Sequence, residues 1–400
     1  MQPLLLLKQT VDASYDPGPL QLDGVNVSVT KIEQVLSRTA TRAAQAKSFS
    51  VGVSINGRET MLTFGKDTRG DLRVLKMAGY FMAEQQESVV LREGMSETQI
   101  RRAVGGARLD EVYSFLKSRP EAYKIVVDRE RCFLTLGLRH GLSGAVNSTV
   151  FRFAADPAEN EISRIIHLPA LRGNPRRTYR TTAVEERYPG TFDTYTAGII
   201  AAWQNARRTD ELAQLRVDLE ELGLTWKVEA RQLDDTQVEL LVGRMPHAQR
   251  GGARDLVNIA DVGFGVSQTL PVILALLAAR PGQMVYLEQP EIHLHPRAQA
   301  RFANLVTRAL RRGVRVVLET HSSLFVRAIQ TAIARGQIEP DDVALHWFTR
   351  DIVTGDTLVS TAELLSDGSF GEWPEDFDDV LLETESAYLD AAARTNEFVA

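Results

Sequence analysis

Apolar and polar residues alternate with a period of two over residues 49–55 and 60–64, and Asn56-Gly57 separates the two runs. That pattern predicts a β-hairpin with a two-residue turn. Shorter runs at 123–127, 132–137 and 149–154 predict further strands around a helical patch at 108–117, the first two joined by a turn at Asp128-Arg129-Glu130. Ahead of them, residues 4–10 read as the tail of a leucine-rich helix that begins without an N-cap. Residues 165–179 read as a strand running into a basic, Pro/Gly-broken loop, followed by helices at 194–207 and 209–222. A second hairpin covers 225–242 with Asp234-Asp235 at its tip, and a Gly/Arg-rich loop spans 243–254. The segment 261–268 reads as a loop feeding an apolar helix at 269–279. An apolar run then ends at Leu287-Glu288-Gln289-Pro290-Glu291, a helix is expected at 297–312, and a second apolar run at 314–318 ends in Glu319-Thr320-His321-Ser322. A strand at 344–348, the segment 367–374 and an acidic helix at 375–385 complete the chain.

The grouping suggests four segments: 1–160 with an antiparallel β lobe, a helical and hairpin insert at 161–250, an α/β core at 251–350, and a short terminal domain at 351–400. Four hundred residues with 44% apolar content can bury a sizeable core. A formal net charge of -6 gives no sign of a protein that coats nucleic acid. The single Cys132 excludes an intrachain disulfide and agrees with a reducing compartment. The longest strongly apolar stretch, 270–279, is too short to span a bilayer, and the N-terminal leucines lack the basic start and cleavage pattern of a signal peptide. A cytoplasmic protein without membrane contact is the expectation.

The chemistry concentrates at the ends of the two apolar runs flanking residues 297–312. In an open α/β sheet the ligand crevice lies beyond the carboxyl ends of the strands, so polar residues there face bound chemistry. A carboxylate at Glu288 could hold Mg²⁺ through water. A second acid could orient or deprotonate an attacking water; Gln289 cannot act as a base, which leaves Glu291. The alternative for Glu291 is a helix cap or a solvated side chain. His321, a lone imidazole after a strand, could sense a terminal phosphate. His293 and His295 form an H-x-H pair without a third ligand cluster, and packing of a loop against the next helix explains them better than zinc. Gly263, Gly265 and Ser267, just before an apolar helix, could offer free amides and a hydroxyl to an anion. Arg172, Arg176 and Arg177 could clamp a phosphate or nucleic acid, or equally tie two lobes through salt links. Trp373 beside Pro374 reads as a packing anchor.

One element is missing. A phosphate-cradling loop needs G-x-x-x-x-G-K-[ST]. Only eight lysines are present, and the one that follows a glycine, Lys66, precedes Asp67 and has Thr60 where the first glycine should stand.

Together, residues 168–179, 261–268, 285–296, 318–322 and 367–374 resemble AAA/ABC-type ATPases of the overcoming-lysogenization-defect and SMC-like group, more closely prokaryotic members with a short C-terminal domain of unknown function. The resemblance implies a P-loop NTPase sheet of the ABC-type ATPase-head kind, here lacking its first strand. It implies ATP and Mg²⁺ as cofactors, with Glu288 and Glu291 in a Walker B region and His321 as a switch histidine. Gly263, Gly265, Ser267 and Gln289 would then face nucleotide. Heads of this kind pair as homodimers around ATP, which implies a homodimer and an effector protein as partners; nucleic acid stays open. Residues 1–10 resemble the helix that follows the P-loop in the family, so a late start codon or a fragment is the expected reason for its absence. An opening in the sheet, or a substitute strand, is expected beside residues 314–318, with the helix start exposed near Glu288 and His321. The alternative to an ATPase head is a scaffold or regulatory subunit that supplies a signature loop without binding nucleotide. No further acidic cluster follows residue 322 to support a nuclease.

Overall fold

The computed structural model describes residues 1–36, 46–80, 88–105, 123–140, 146–151, 156–181, 186–245, 255–371 and 383–391. The expected helix at 108–117 and the anchor Trp373 lie outside these residues, as does most of the 243–254 loop. The chain forms two compact units, one of Met1–His167 with Val184–Phe192 and one of Leu168–Ala183 with Asp193–Ala400.

The first unit holds helix α1 (Gln2–Asp12), which has no side-chain cap at Met1. Seven successive residues, Leu5 to Val11, are buried, polar Lys8, Gln9 and Thr10 among them. A polar side chain survives burial only with partners. Lys8 Nζ donates to Asp12 Oδ2 (2.7 Å), Tyr188 O (3.0 Å) and Ser163 O (3.4 Å). Gln9 in turn bonds the backbone of Gln21 and Val27.

The expected hairpin is present as β1 (Ser48–Ile55) and β2 (Arg58–Lys66), paired antiparallel from Ser48↔Gly65 to Ile55↔Arg58. Asn56 (φ 51°) and Gly57 (φ 76°) both take the left-handed conformation that a tight two-residue turn requires. β3 (Leu72–Gly79) and β4 (Val89–Leu91) extend the sheet in the order β1-β2-β3-β4. Helix α2 (Glu97–Val104) begins on a Ser96/Gln99 capping box. A second antiparallel sheet holds β5 (Tyr123–Glu130), β6 (Phe133–His140) and β7 (Val146–Phe151). Here the sequence reading shifts: β5 runs through the predicted turn at 128–130 and reverses at Arg131-Cys132, with Arg131 at φ 54°. Asp128, Arg129 and Glu130 are three successive polar, half-buried residues, and their polarity concealed the strand. Leu62, Phe64, Leu134, Leu136 and Ile162, the last from α3 (Asp156–Ser163), share the core of this unit with Leu7 of α1.

β8 (Ile166–Leu168) spans the boundary between the units. In the second unit, β9 (Tyr179–Arg180), β10 (Val228–Gln232), β11 (Gln237–Gly243) and β12 (Leu256–Asn258) form one antiparallel sheet, with β10 and β11 as the expected second hairpin. Helices α4 (Thr196–Asn205) and α5 (Thr209–Glu221) lie where the pattern predicts them. Helix α6 (Phe264–Ala278) starts five residues earlier than expected, because Gly265 and Ser267 are accommodated in its first turns.

The βαβ unit consists of β13 (Met284–Glu288), α7 (Pro296–Arg311) and β14 (Arg315–Glu319), and the two strands are parallel from Met284↔Arg315 to Glu288↔Glu319. Val285, Tyr286 and Leu287 are all buried, as expected of a parallel strand covered on both faces. Ala298, Phe302, Leu305, Val306 and Ala309 give α7 its buried face, while Arg308 bonds Asp218 (2.6 Å) and Glu221 (3.0 Å) of α5. The sheet order is β14-β13-β8. β14 is an edge strand of this sheet among the described residues, pairing with β13 alone. After α8 (Ser323–Ala334), the strand expected at 344–348 appears as β15 (Leu345–Arg350) and pairs with β16 (Thr357–Ala362) in a separate two-stranded sheet.

Candidate functional site at the carboxyl ends of the parallel strands

Parallel pairing in register places Glu288 beside Glu319 at the ends of β13 and β14. The chain then turns sharply. Gln289 sits at φ 42°, a left-handed conformation uncommon for a residue with a Cβ. Its N–H donates to Glu319 O (2.9 Å), so the turn is stitched to the neighbouring strand. Two residues on, Glu291 is buried at 7% exposure. Its Oε1 accepts from Thr320 Oγ1 (2.7 Å) and from the backbone N–H of His321 (2.8 Å). Its Oε2 is buried and has no protein hydrogen-bond partner among the described residues. Glu291 is thus neither a helix cap nor a solvated side chain.

The loop after β8 reaches the same place. The Ala170 N–H donates to Glu288 Oε2 (3.2 Å), and Arg172 Nη2 donates to Gln289 O (3.4 Å) and Ala170 O (3.5 Å). Burial lowers the Arg172 pKa, and the carboxylates of Asp193, Glu291 and Glu288 oppose that shift. The three arginines of the loop do not form one cluster. Arg177 is exposed and pairs with Asp261 (2.6 Å), and the Arg176 backbone N–H bonds the Tyr179 hydroxyl (3.1 Å). The salt-link reading holds for Arg177, and Arg172 belongs to the strand ends.

His321 presents an exposed side chain next to the Glu291 carboxylate that holds its N–H. The edge position of β14 leaves that strand only half-buried, not fully buried as its apolar run suggests. Ser322 caps α8 by accepting from the Phe325 N–H (3.1 Å) and donates to Gln299 Oε1 (2.7 Å). His295 caps α7 through the Arg297 N–H (3.3 Å), and His293 stacks on Phe264 with centroids 6.0 Å apart. Both histidines pack the loop, as expected.

Gly263 is the N-cap of α6, and no side chain caps that end, so its first-turn amides are not held by a capping group. Ser267 lies one turn inside the helix and its hydroxyl donates to Phe264 O (3.2 Å). Gln268 Nε2 donates to Gly173 O (3.1 Å), which links the start of α6 to the Arg172 loop.

Two participants escaped the sequence reading. Tyr286 is buried and its hydroxyl donates to Glu319 Oε1; burial, then that bond and the nearby carboxylates, raise its pKa far above the usual phenol value. Glu319 was visible only as one acid in a run. The signal for both is strand register: residues 286 and 288 share a face, and 319 lies beside 288.

Among the described residues no three His, Cys, Asp or Glu side chains converge as a self-sufficient metal site. Mg²⁺ takes one or two carboxylates and keeps water or phosphate for the rest. The carboxylate half of a Mg²⁺–ATP site fits these residues, with Glu291 Oε2 as a buried acceptor that has no protein partner among the described residues. A glycine–lysine phosphate cradle is not encoded in the 400 residues.

Residues 153–327 match the family described as "AAA domain, putative AbiEii toxin, Type IV TA system". The match spans Arg172, Gly263, Gly265, Ser267, Glu288, Gln289, Glu291 and His321, and agrees with the AAA/ABC-type resemblance read from the sequence. No curated protein matches the chain. Among solved structures, an SMC head bound to the C-winged helix domain of ScpA is similar at 10% identity over 90% of this chain and 86% of that one, with a TM-score of 0.40. The SMC head domain from Thermotoga maritima is similar at 10% identity over 79% and 78%, with a TM-score of 0.30. A structure from work on ATP-driven dimerization and DNA-stimulated activation of SMC ATPases is similar at 12% identity over 45% and 94%, with a TM-score of 0.29. No described helix is long and apolar enough to cross a membrane.

Proposed function

We propose that this chain is the catalytic-carboxylate part of an ATPase head that closes around ATP as a homodimer to drive or gate a partner protein. The observation that carries the reading is the buried Glu291 carboxylate, anchored by one oxygen to Thr320 and His321 and with a second oxygen that has no protein partner among the described residues. In this role Glu291 accepts a hydrogen bond from the attacking water and takes its proton, while Thr320 and the His321 amide fix the carboxylate plane. Glu288, held by the Ala170 amide, would hold the cation through water. The exposed His321 ring reaches the terminal phosphate, and Gln289 sits at the nucleotide side of the turn. The amides of Gly265 and its neighbours at the start of α6, with Gly263 as cap and Ser267 one turn on, meet the phosphate held by the opposite subunit. When bound, Mg²⁺ would neutralise charge on the transferring phosphoryl group. A defence or DNA-maintenance setting is supported by the toxin–antitoxin wording of the matched family, and nucleic acid belongs to that setting.

The test is steady-state ATP hydrolysis with Mg²⁺, with any phosphate-cradling segment the reaction needs supplied alongside the chain. Glu291→Gln should lower kcat about a hundredfold or more with nucleotide binding retained. Glu288→Gln should also abolish turnover, and His321→Ala should cut it sharply. Normal turnover in Glu291→Gln together with loss in Glu288→Gln would move the base to Glu288 and overturn the assignment. A second reading is favoured by one observation, the absence of G-x-x-x-x-G-K-[ST] from the sequence. It makes the chain a non-enzymatic scaffold that contributes a signature loop. Wild-type protein without turnover under the same conditions would select it.

A further inference from the structure

We infer that Gln299 is a positioning residue for Glu291: its side-chain amide ties the turn that carries Glu291 to the 320–322 segment that holds the carboxylate. What Glu291 does in that position rests on the ATPase reading; the tie itself does not. Gln299 is half-buried in the first turns of α7 and bonds both segments. Its Nε2 donates to Leu294 O (3.0 Å), and its Oε1 accepts from Ser322 Oγ (2.7 Å). The amide fits only this way round, since Leu294 O can accept and cannot donate. On the turn side, the Leu294 N–H donates to Glu291 O (2.8 Å). On the other side, the Ser322 N–H donates to Thr320 Oγ1 (2.9 Å). That leaves the Thr320 hydroxyl to give its own proton to Glu291 Oε1 (2.7 Å). These bonds and the residues between them close a circuit from the Glu291 carbonyl to its carboxylate, and a satisfied network of this kind fixes the orientation of its members. The competing role is a brace local to α7. The bond to Leu294, five residues back, would suffice for that, whereas the bond to Ser322, 23 residues on, serves only the tie.

Backbone amide exchange on the full 400-residue chain without nucleotide separates the two roles. The His321 N–H is the reporter, because it is held by Glu291 Oε1 and not by Gln299. Gln299→Leu should speed exchange at His321 at least about tenfold, and at Val285 and Leu287 of β13 by less than about threefold. Unchanged exchange at His321, or a rise no larger than that of β13, would overturn the inference. If Gln299→Leu does not fold, the same comparison is made in Gln299→Glu, which keeps the acceptor for Ser322 and loses the donor to Leu294. There a rise of at least about threefold confined to His321 supports the inference, and its absence overturns it. In the turnover assay, Gln299→Leu should lower kcat at least about tenfold and change KM less than about threefold, since Gln299 places the base and not the nucleotide. Unchanged kcat beside an active wild type overturns the inference as well. Failure of the ATPase reading would show instead as absent turnover in wild-type protein with the His321 effect intact.

Discussion

Lys8 is fully buried yet charged chemistry surrounds it, and single residues of this kind decide more than their number suggests. Burial lowers its pKa and raises that of Asp12, each against the pull of the other. Lys8→Met removes the counter-charge and leaves Asp12 buried, at an expected cost of about 3–5 kcal/mol in denaturant unfolding. Lys8→Met with Asp12→Asn should cost much less. Because the folded-state pKa of Asp12 is raised, its contribution is full below the ordinary carboxylate value and is lost as pH rises through the folded value. The stability of wild type relative to Asp12→Asn should accordingly fall across the mildly acidic range, and a flat difference would contradict the raised pKa. None of this was legible beforehand, since a leucine-rich helix read from sequence gives no reason to bury its lysine. Glu288, Glu291 and His321 were legible, because a short βαβ unit fixes where its strands end. Arg172 was legible only as one basic residue among three. The Gln289 carbonyl it bonds lies 117 residues further along the chain, and only the fold separates it from Arg177.

Among the elements, those with strong local signals formed where expected. Asn56-Gly57 fixed one hairpin and Asp234 the tip of another, where it accepts from Thr236 and Gln237. Helices α4, α5 and α7 formed at the segments expected at 194–207, 209–222 and 297–312. Boundaries moved where polar residues served structure: Gly265 and Ser267 entered α6, and 128–130 entered β5. β16 was missed because its residues are nearly all exposed and show no inward face. Capping gives a prediction at this scale. Ser322 both caps α8 and anchors Gln299 of α7, so Ser322→Ala should cost about 1–2 kcal/mol in thermal or denaturant unfolding. It should also loosen the Thr320–His321 segment that Glu291 holds. A loss no larger than that of an exposed surface substitution would show that the cap is not what sets this junction.

For the whole molecule, the placement of the proposed catalytic carboxylates and the lack of a glycine–lysine motif in the 400 residues have opposite consequences. Glu291 and the Thr320–His321 groups that hold it lie within 31 residues of one another, whereas Glu288 is held from outside that span by the Ala170 amide. The phosphate side requires a ring of glycine amides and a lysine, and the 400 residues do not encode it. The chain by itself should therefore bind Mg²⁺–ATP weakly. Calorimetric titration should show no saturation at micromolar nucleotide; micromolar affinity, about -8 kcal/mol, would mean that another surface supplies the missing contacts.

The one-sided pairing of β14 makes amide hydrogen exchange alternate along it. The Arg315 N–H donates to Gln283 O across the strand pair, and every second residue of a strand points the same way. The amides of Arg315, Val317 and Glu319 therefore lie inside the ladder, while those of Val316 and Leu318 point to the side where no described strand pairs. In a deuterium solvent the two sets should label at rates well apart, fast for 316 and 318 and slow for the others. If a strand from elsewhere comes to lie along this edge, the alternation disappears and all five amides become slow, a change readable residue by residue without any assay of activity.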